Sequence, residues 1–461
     1  MGKRYDLTVV GGGPGGYVAA IRASQLGLSV ALVEREDLGG VCLNWGCIPT
    51  KTLLKSAAVL DAARRAEEFG LVVDGARPDP ELLRARKDRV VTRLRGGTES
   101  LLTKRGVEIV RGVATVSGPG AVSVETGDGT FDLESSRVIL ATGSSPLVPS
   151  VFPHDGDRVW TSRDALDGLH IPESILVIGG GAVGCEFAGF YSTMGARVTI
   201  VEMLDEILPG EDPSAARLLR SAFRKAGVDV RPKSRVEGIE PRSGSVVTTL
   251  EGGDEVETER VLLAMGRRPA VDGAGIPGLG LRTERGAVVV DETMETSVSG
   301  IAAIGDLVGG WLLAHVASRE GIVAAERAAG RDTMMSYRTV PRVTFSHPEI
   351  ASVGITEQQA AEEGIELTTG RFPFAASGKA TAEGEGAGFV KVMADASDGV
   401  VLGGVVAGPG ASELVHEIAL AVEARLPAET VARMIHAHPT LPEAVMEACE
   451  AIHGLSVHSL T

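Results

Sequence analysis

The sequence predicts an α/β fold: two doubly wound, Rossmann-like βαβ domains followed by a smaller α+β domain. Three observations carry this. A glycine cluster lies between a strand pattern and a helix pattern near the N-terminus. The same unit recurs 168 positions later, from Gly11 to Gly179. Beyond about residue 344 the glycine loops stop and strands mix with helices.

In the first unit, residues 6–10 form an apolar strand that runs into Gly11, Gly12, Gly13, Pro14, Gly15 and Gly16. A helix over 17–26 follows, then a strand over 29–33 that ends at Glu34. The second unit runs from the strand Ser174–Ile178 into Gly179, Gly180, Gly181, Ala182, Val183 and Gly184. Its helix extends to Met194, and the strand Arg197–Val201 ends at Glu202. In both units the acid follows the first glycine by 23 positions (Gly11 to Glu34, Gly179 to Glu202). A single G-x-G-x-x-G is a weak signal, but two in matching strand–helix context are a strong one.

Small residues in such a loop let the backbone approach a pyrophosphate, and the N–H groups of the next helix neutralise it. The acid at the end of the second strand takes the ribose hydroxyls. Two loops imply two dinucleotides, and a chain holding both passes electrons between them. The plain alternative is a pair of unliganded glycine turns, which the duplicated context disfavours. At the second site Glu202 suits a free 2′-hydroxyl and repels a 2′-phosphate. Met203 and Leu204 follow it, without an arginine to clamp a phosphate. That site is expected to prefer NAD over NADP.

Between and after the units lie further strand-to-turn segments over 138–143, 261–267 and 301–306. The C-terminal part reads as strands over 389–393 and 400–406, with helices over 412–424, 428–434 and 442–451. Segments 64–68 and 358–363 read as solvated helix faces.

Composition narrows the function. With 461 residues, about three or four domains of ~150 residues fit. A hydrophobic content of 44% supports a large core. The net charge of -16 argues against a phosphate-backbone partner, and 4% aromatics argues against base-stacking platforms. Every apolar run is cut short of membrane-spanning length by Gly, Pro or charge. Lys3 and Arg4 precede an apolar run as in an export signal, but the glycine cluster makes that run unfit for a signal helix. The expectation is a cytoplasmic protein.

There are four cysteines, Cys42, Cys47, Cys185 and Cys449. In a reducing compartment a close pair is catalytic more often than structural. Cys42 and Cys47 sit in Gly39-Gly40-Val41-Cys42-Leu43-Asn44-Trp45-Gly46-Cys47-Ile48-Pro49-Thr50-Lys51. On an ideal helix these positions do not face each other, so a bridge demands distortion. Gly46 and Pro49 supply it, the proline by opening the turn at the Trp45 carbonyl. A strained short-loop disulfide is readily reduced. Lys51, one turn beyond Cys47, is placed to stabilise a thiolate. The alternative is two buried free cysteines. Thiol chemistry also needs a base. Of nine histidines, His438 stands out because Pro439 holds it off helical geometry and Glu443 lies five residues on, in reach of one ring nitrogen. A metal reading of His436 with His438 is weaker, since no further ligands cluster there.

The stretch from Gly39 to Lys51 resembles the active-site signature of the class I pyridine nucleotide–disulfide oxidoreductases. Ala141-Thr142-Gly143-Ser144, Gly266-Arg267-Arg268-Pro269 and Ala303-Ile304-Gly305-Asp306 resemble that family's other fingerprints, in order and over nearly the whole chain. The resemblance implies a Cys42–Cys47 disulfide and an FAD at Gly11, Gly13 and Gly16. Glu34 would bind its adenosine ribose and Asp306 its ribityl chain. Arg35, Ala114, Thr142, Gly143, Ser144 and Ala314 would line the same site. Lys51, paired with Glu186, would lie at the flavin. NAD would sit at Gly179, Gly181, Gly184 and Glu202, with Gly266 and Arg267 nearby. Cys47 would face the flavin and Cys42 the substrate. His438 and Glu443 would serve the disulfide of a second subunit, making the protein a homodimer through its C-terminal dimerisation domain. Cys185 and Cys449 match no functional position.

The resemblance also implies a division into 1–148 (FAD-binding), 149–272 (NAD-binding), 273–342 (a central part completing the FAD site) and 343–461 (dimerisation). Glu202, Leu441, His315 and Phe345 to Glu349 are similar to the family's lipoamide-linked branch. Its partners are lipoyl domains and the acyltransferase core of a 2-oxo acid dehydrogenase complex, or the glycine cleavage system. The alternatives are a reductase of another small disulfide, or a chain that mainly docks within a multienzyme complex.

Overall fold

A computed structural model describes residues 3–460. The chain has the expected α/β fold. In the first sheet Lys3–Val10 lies between Val30–Glu34 and Gly129–Leu140, parallel to both. Val30–Glu34 is buried along its whole length, which is why it reads as an unbroken apolar run rather than an alternating one. Glu108–Arg111 extends the sheet on one side, and the hairpin Val113–Gly118 with Ala121–Thr126 extends it on the other. The chain leaves this sheet at Leu140 and returns with Ile301–Ala303, which pairs parallel to Gly129–Leu140. That return brings Asp306 back to the first glycine loop's sheet.

The second sheet is parallel throughout, in the order Asp229–Arg231, Arg197–Val201, Ser174–Ile178, Arg260–Leu263, Val159–Thr161. The two connections between the sheets pair with each other: Ser144–Pro146 runs antiparallel to Arg267–Pro269. Beyond residue 341 an antiparallel sheet, Arg342–Thr344, Ile350–Gly354, Val401–Ala407, Phe389–Asp395 and Leu367–Pro373, packs against helices Ala411–Glu423 and Glu443–Ala451. Val353, Val392, Val406, Val415, Ile418 and Val445 form part of its core.

This last layer is tied to the second sheet by ions. Lys391, largely buried, reaches Asp212 and lies 2.8 Å from Glu357. Arg342 Nε is 3.1 Å from Glu211.

Three details differ from the expectations. The first helix is Pro14–Gln25, beginning three residues early, because proline at its first position lacks only an N–H that a helix start leaves free. The helix expected over 428–434 ends at Ala432. Residues 64–68 are not a solvated helix face: the helix stops at Arg64, and Arg65 leaves it to bond Glu385 and the Gly384 carbonyl of the C-terminal layer. Among the described residues no helix is long and apolar enough to cross a membrane.

Candidate active site

The two glycine loops are built alike. Gly11 and Gly179 have φ of +106° and +108°, and a Cβ on either would lie 2.2 or 2.4 Å from the carbonyl oxygen of Ala141 or Ala264. A Cβ on Gly16 or Gly184 would strike the carbonyl of Gly11 or Gly179, at 1.8 and 1.9 Å. These glycines are there for packing. Gly13 and Gly181 are different: the nearest atom to a Cβ on Gly13 is 3.9 Å away, and on Gly181 nothing lies within 4 Å. Each of these two caps a helix, Pro14–Gln25 or Ala182–Met194, that has no side-chain cap. The first-turn N–H groups therefore face the space where a Cβ is missing. Open cradles over uncapped helix ends fit two pyrophosphates.

The two acids are held alike as well. Glu34 accepts from the Gly12 N–H at 2.6 Å and the Glu36 N–H at 2.7 Å. Glu202 accepts from the Gly180 N–H at 2.7 Å and the Leu204 N–H at 2.8 Å. Both carboxylates are buried and fixed by backbone, which aims their remaining lone pairs along the strand ends. Arg35 is exposed and lies 3.5 Å from Glu36.

The return strand gathers another group. Ser144 Oγ donates to Asp306, and Arg267 donates to Ser144 Oγ at 2.7 Å and to its carbonyl at 2.8 Å. Thr142 Oγ donates to the Ala270 carbonyl at 3.1 Å, and Gly143 and Gly266 both turn with positive φ. Asp306 thus sits at the junction of both connections. Ala114 is buried in strand Val113–Gly118, opposite Val124, and Ala314 opens the helix Ala314–Ala328. Either can offer only backbone to a ligand. His315 donates to the Pro341 carbonyl at 2.9 Å.

The cysteines occupy two helices rather than one bent helix. Gly40–Trp45 ends at Gly46, whose φ of -143° and ψ of -110° break the chain's path, and Cys47–Arg64 begins at once. Pro49 falls in the first turn of the new helix, where it costs no hydrogen bond. Gly46, not the proline, therefore makes the break. The break sets the two sulfurs side by side, and the structure holds them as thiols, the reduced partner of the expected disulfide. The Cys42 thiol donates to Cys47. This bond, then burial, pushes Cys42 far up. The same bond holds Cys47 below the ordinary thiol range, and Lys51 adds to it against burial and Glu186. Of the two, Cys47 is the one that Lys51 favours as a thiolate.

Lys51 Nζ lies 2.7 and 2.9 Å from the two oxygens of buried Glu186. Three neighbours here were given no role at this site by the sequence reading. Phe345 comes from the C-terminal layer, donates its N–H to Glu186 at 3.1 Å and places its ring 4.5 Å from Lys51 Nζ. Arg163 lies 4.0 Å over the Trp45 ring and 3.2 Å from Glu36. Asn44 donates to the carbonyls of Leu38 and Gly40, both at 3.0 Å. The chemical type of Asn44, between two cysteines and after two positive-φ glycines, was the one available hint.

Cys185 is buried and donates to the Gly180 carbonyl at 3.3 Å. Burial pushes the Cys449 thiol up to about 12. Both are inert in this setting.

His438 lies in the C-terminal layer. Its Nδ1 is 2.9 Å from Glu443 Oε1, and the Thr440 N–H donates to Glu443 Oε2 at 2.8 Å. Burial pushes Glu443 up, but that N–H and His438 outweigh it and hold the carboxyl below its usual range. His436 does not join His438: its ring faces Glu417.

Residues 5–321 match the family model described as pyridine nucleotide-disulphide oxidoreductase, and residues 340–449 match the dimerisation domain of that family. The chain is 43% identical to a dihydrolipoyl dehydrogenase of Geobacillus stearothermophilus, over 99% of this chain and 98% of that one. It is 44% identical to a dihydrolipoyl dehydrogenase of Thermus scotoductus, over 99% of each. The crystal structure of LpdA from Mycobacterium tuberculosis superposes with a TM-score of 0.91 at 31% identity, covering 97% of this chain and 99% of that one.

Proposed function

The chain belongs to the pyridine nucleotide-disulphide oxidoreductase family, and on that premise we propose that it oxidises protein-bound dihydrolipoamide, with FAD as its cofactor and NAD+ as final acceptor. The observation that carries this is geometric: a break at Gly46 sets Cys42 and Cys47 on two abutting helices, with the Lys51–Glu186 pair one turn beyond Cys47.

FAD is assigned to Gly11, Gly13 and Gly16, with Glu34 and Asp306, and NAD to Gly179, Gly181, Gly184 and Glu202. The domain limits near residues 148, 272 and 342 belong to the same proposal. The active unit is a homodimer, in which the base is His438 of the partner subunit, oriented by Glu443.

In the working cycle, His438 takes a proton from one substrate thiol, and the resulting thiolate attacks Cys42 Sγ of the disulfide. The Cys42–Cys47 bond breaks and Cys47 leaves as the thiolate that Lys51 favours. The second substrate thiol attacks the substrate sulfur of the mixed disulfide. As it attacks, that thiol passes its proton to Cys42, which leaves as the thiol, while His438 keeps the first proton until solvent takes it. FAD, when bound, supplies the acceptor for the electron pair, which NAD+ removes as hydride. The substrate arm is carried by lipoyl domains of a 2-oxo acid dehydrogenase complex or a glycine cleavage system in the cytoplasm.

The test is a substrate ranking on the purified flavoprotein. With NADH, lipoamide reduction should exceed glutathione disulfide reduction by about a hundredfold or more in kcat/KM, and NADPH should be poor. The reverse ranking sinks the reading.

A further inference from the structure

His436 and His438 are two residues apart and are wired in opposite ways. The His438 side chain is 78% exposed, with Nδ1 on Glu443. The His436 side chain is 4% exposed, and both of its nitrogens are engaged. Nδ1 lies 2.9 Å from the Met434 carbonyl oxygen, and Nε2 lies 2.9 Å from Glu417 Oε1.

A carbonyl oxygen only accepts, and so does an ionised carboxylate. A neutral imidazole has a single N–H. One of the two contacts would then set lone pair against lone pair in a buried place, which leaves a polar group unsatisfied. We propose that His436 is a positioning residue: it carries a proton on each ring nitrogen and straps the turn that presents His438 to helix Ala411–Glu423. The functional half of this rests on His438 being the base of the reaction proposed above, whereas the protonation half does not.

The surrounding charges suit a cation. Glu417 faces it from helix Ala411–Glu423, and Glu443 feels it from the start of helix Glu443–Ala451. Cys449, on that second helix, faces Glu417 and stays a thiol because burial, then Glu417 and Glu450, push it up.

The mechanical reason is exposure. Within its own chain a side chain as open as His438 is not located by packing, so what that chain contributes to its place comes from the turn beneath it. That turn is pinned by Thr440 Oγ to the Ala437 carbonyl at 2.7 Å, by Glu443, and by His436 on its N-terminal side. A base displaced by about 1 Å costs about a hundredfold in rate.

The test uses the FAD-loaded dimer labelled with ¹⁵N-histidine. One histidine is expected to show two protonated ring nitrogens, each bonded to an acceptor. The signal should vanish in His436→Gln and become a neutral tautomer in Glu417→Gln, whose amide donates to Nε2. In His436→Gln, lipoamide turnover should fall about a hundredfold while NADH–ferricyanide turnover, which needs no base at His438, persists. A singly protonated His436 overturns the proposal. So does a parallel loss of both activities, or no loss of lipoamide turnover. If His436→Gln does not fold, the Glu417→Gln signal decides. If the unaltered protein turns over ferricyanide but not lipoamide, the substrate reading fails, and the nitrogen signals still judge His436.

Discussion

The two glycine-loop units are near copies in geometry, yet they are closed to different degrees. Around the first, Gly39 and Gly40 turn back with positive φ, and Gly40 packs on Gly13 so closely that a Cβ on it would lie 2.7 Å from the Gly13 Cα. Helix Ala314–Ala328 covers the other side: a Cβ on Gly321 would lie 2.4 Å from the Gly15 carbonyl. Around the second loop a segment also turns back, with the Leu208 N–H on the Gly180 carbonyl at 2.8 Å as the Gly39 N–H is on that of Gly12, but the head of the helix is left open. Ala182 and Val183, at the head of its helix, are exposed, and Met203 and Leu204 beyond its acid are exposed too. One cradle is built into the interior and the other opens on solvent. On the function proposed above, the first would hold a resident dinucleotide and the second an exchanging one, and the difference comes from what the rest of the chain stacks upon the shared motif.

This contrast can be broken at several points. The largest effect is expected at the closed side. Cys47→Ser should cut lipoamide turnover by more than about a thousandfold, because Cys42 then has no partner sulfur and no disulfide forms for the substrate thiolate to attack. NADH–ferricyanide turnover should survive, and its loss would place the electron path elsewhere. Next come the two open glycines. Gly13→Ala is sterically free in the protein itself, so folded protein should be recovered with little bound FAD, read from its visible absorbance. Gly181→Ala should keep the yellow colour and raise KM for NADH by about tenfold to a hundredfold. If both variants lose FAD, or neither does, the two cradles are not distinct. A smaller effect belongs to Glu202→Ala, which removes a charged hydrogen-bonding partner of the ribose. The NADH-to-NADPH preference should fall by about tenfold.

The smallest effect concerns protons. Cys47 is held below the ordinary thiol range first by the Cys42 thiol and then, among charges, by Lys51. A lowered group ionises earlier as pH rises, so removing the cation delays ionisation. In Lys51→Met, the pH profile for alkylation of Cys47 in the reduced protein should move up by about one pH unit. A profile that stays in place or moves down contradicts the assigned role.

Much of this was readable from the chain alone, for a physical reason. Glycines that must adopt positive φ or touch a backbone, and acids at a strand's end, are local requirements with fixed spacing. Both loops, Glu34, Glu202 and the cysteine pair therefore show as pattern. The break between the cysteines was legible in kind and half in cause: of the expected pair Gly46 and Pro49, Gly46 makes the break and Pro49 only lies in the first turn of the next helix. What stayed hidden came from far away in sequence. Phe345 on Glu186, Arg163 on Trp45 and Arg65 on Glu385 are separated by 118 to 320 positions, and no periodicity reports such meetings. His436 was hidden differently. Its residue type suggested a ligand, and only its burial between two acceptors shows another use.

The ion pairs that join Lys391 to Asp212 and Arg342 to Glu211 limit how the molecule can be cut. Asp212 also caps helix Pro213–Lys225, accepting from the Ser214 and Ala215 N–H groups, so it cannot be neutralised without loosening the helix. A foreign layer that covers Asp212 without offering it a cation leaves a buried carboxylate unpaired, at about 3–5 kcal/mol. The layer is therefore a poor module for recombination: a chimera that exchanges it at residue 341 inherits the debt unless position 391 of the incoming piece again carries a lysine.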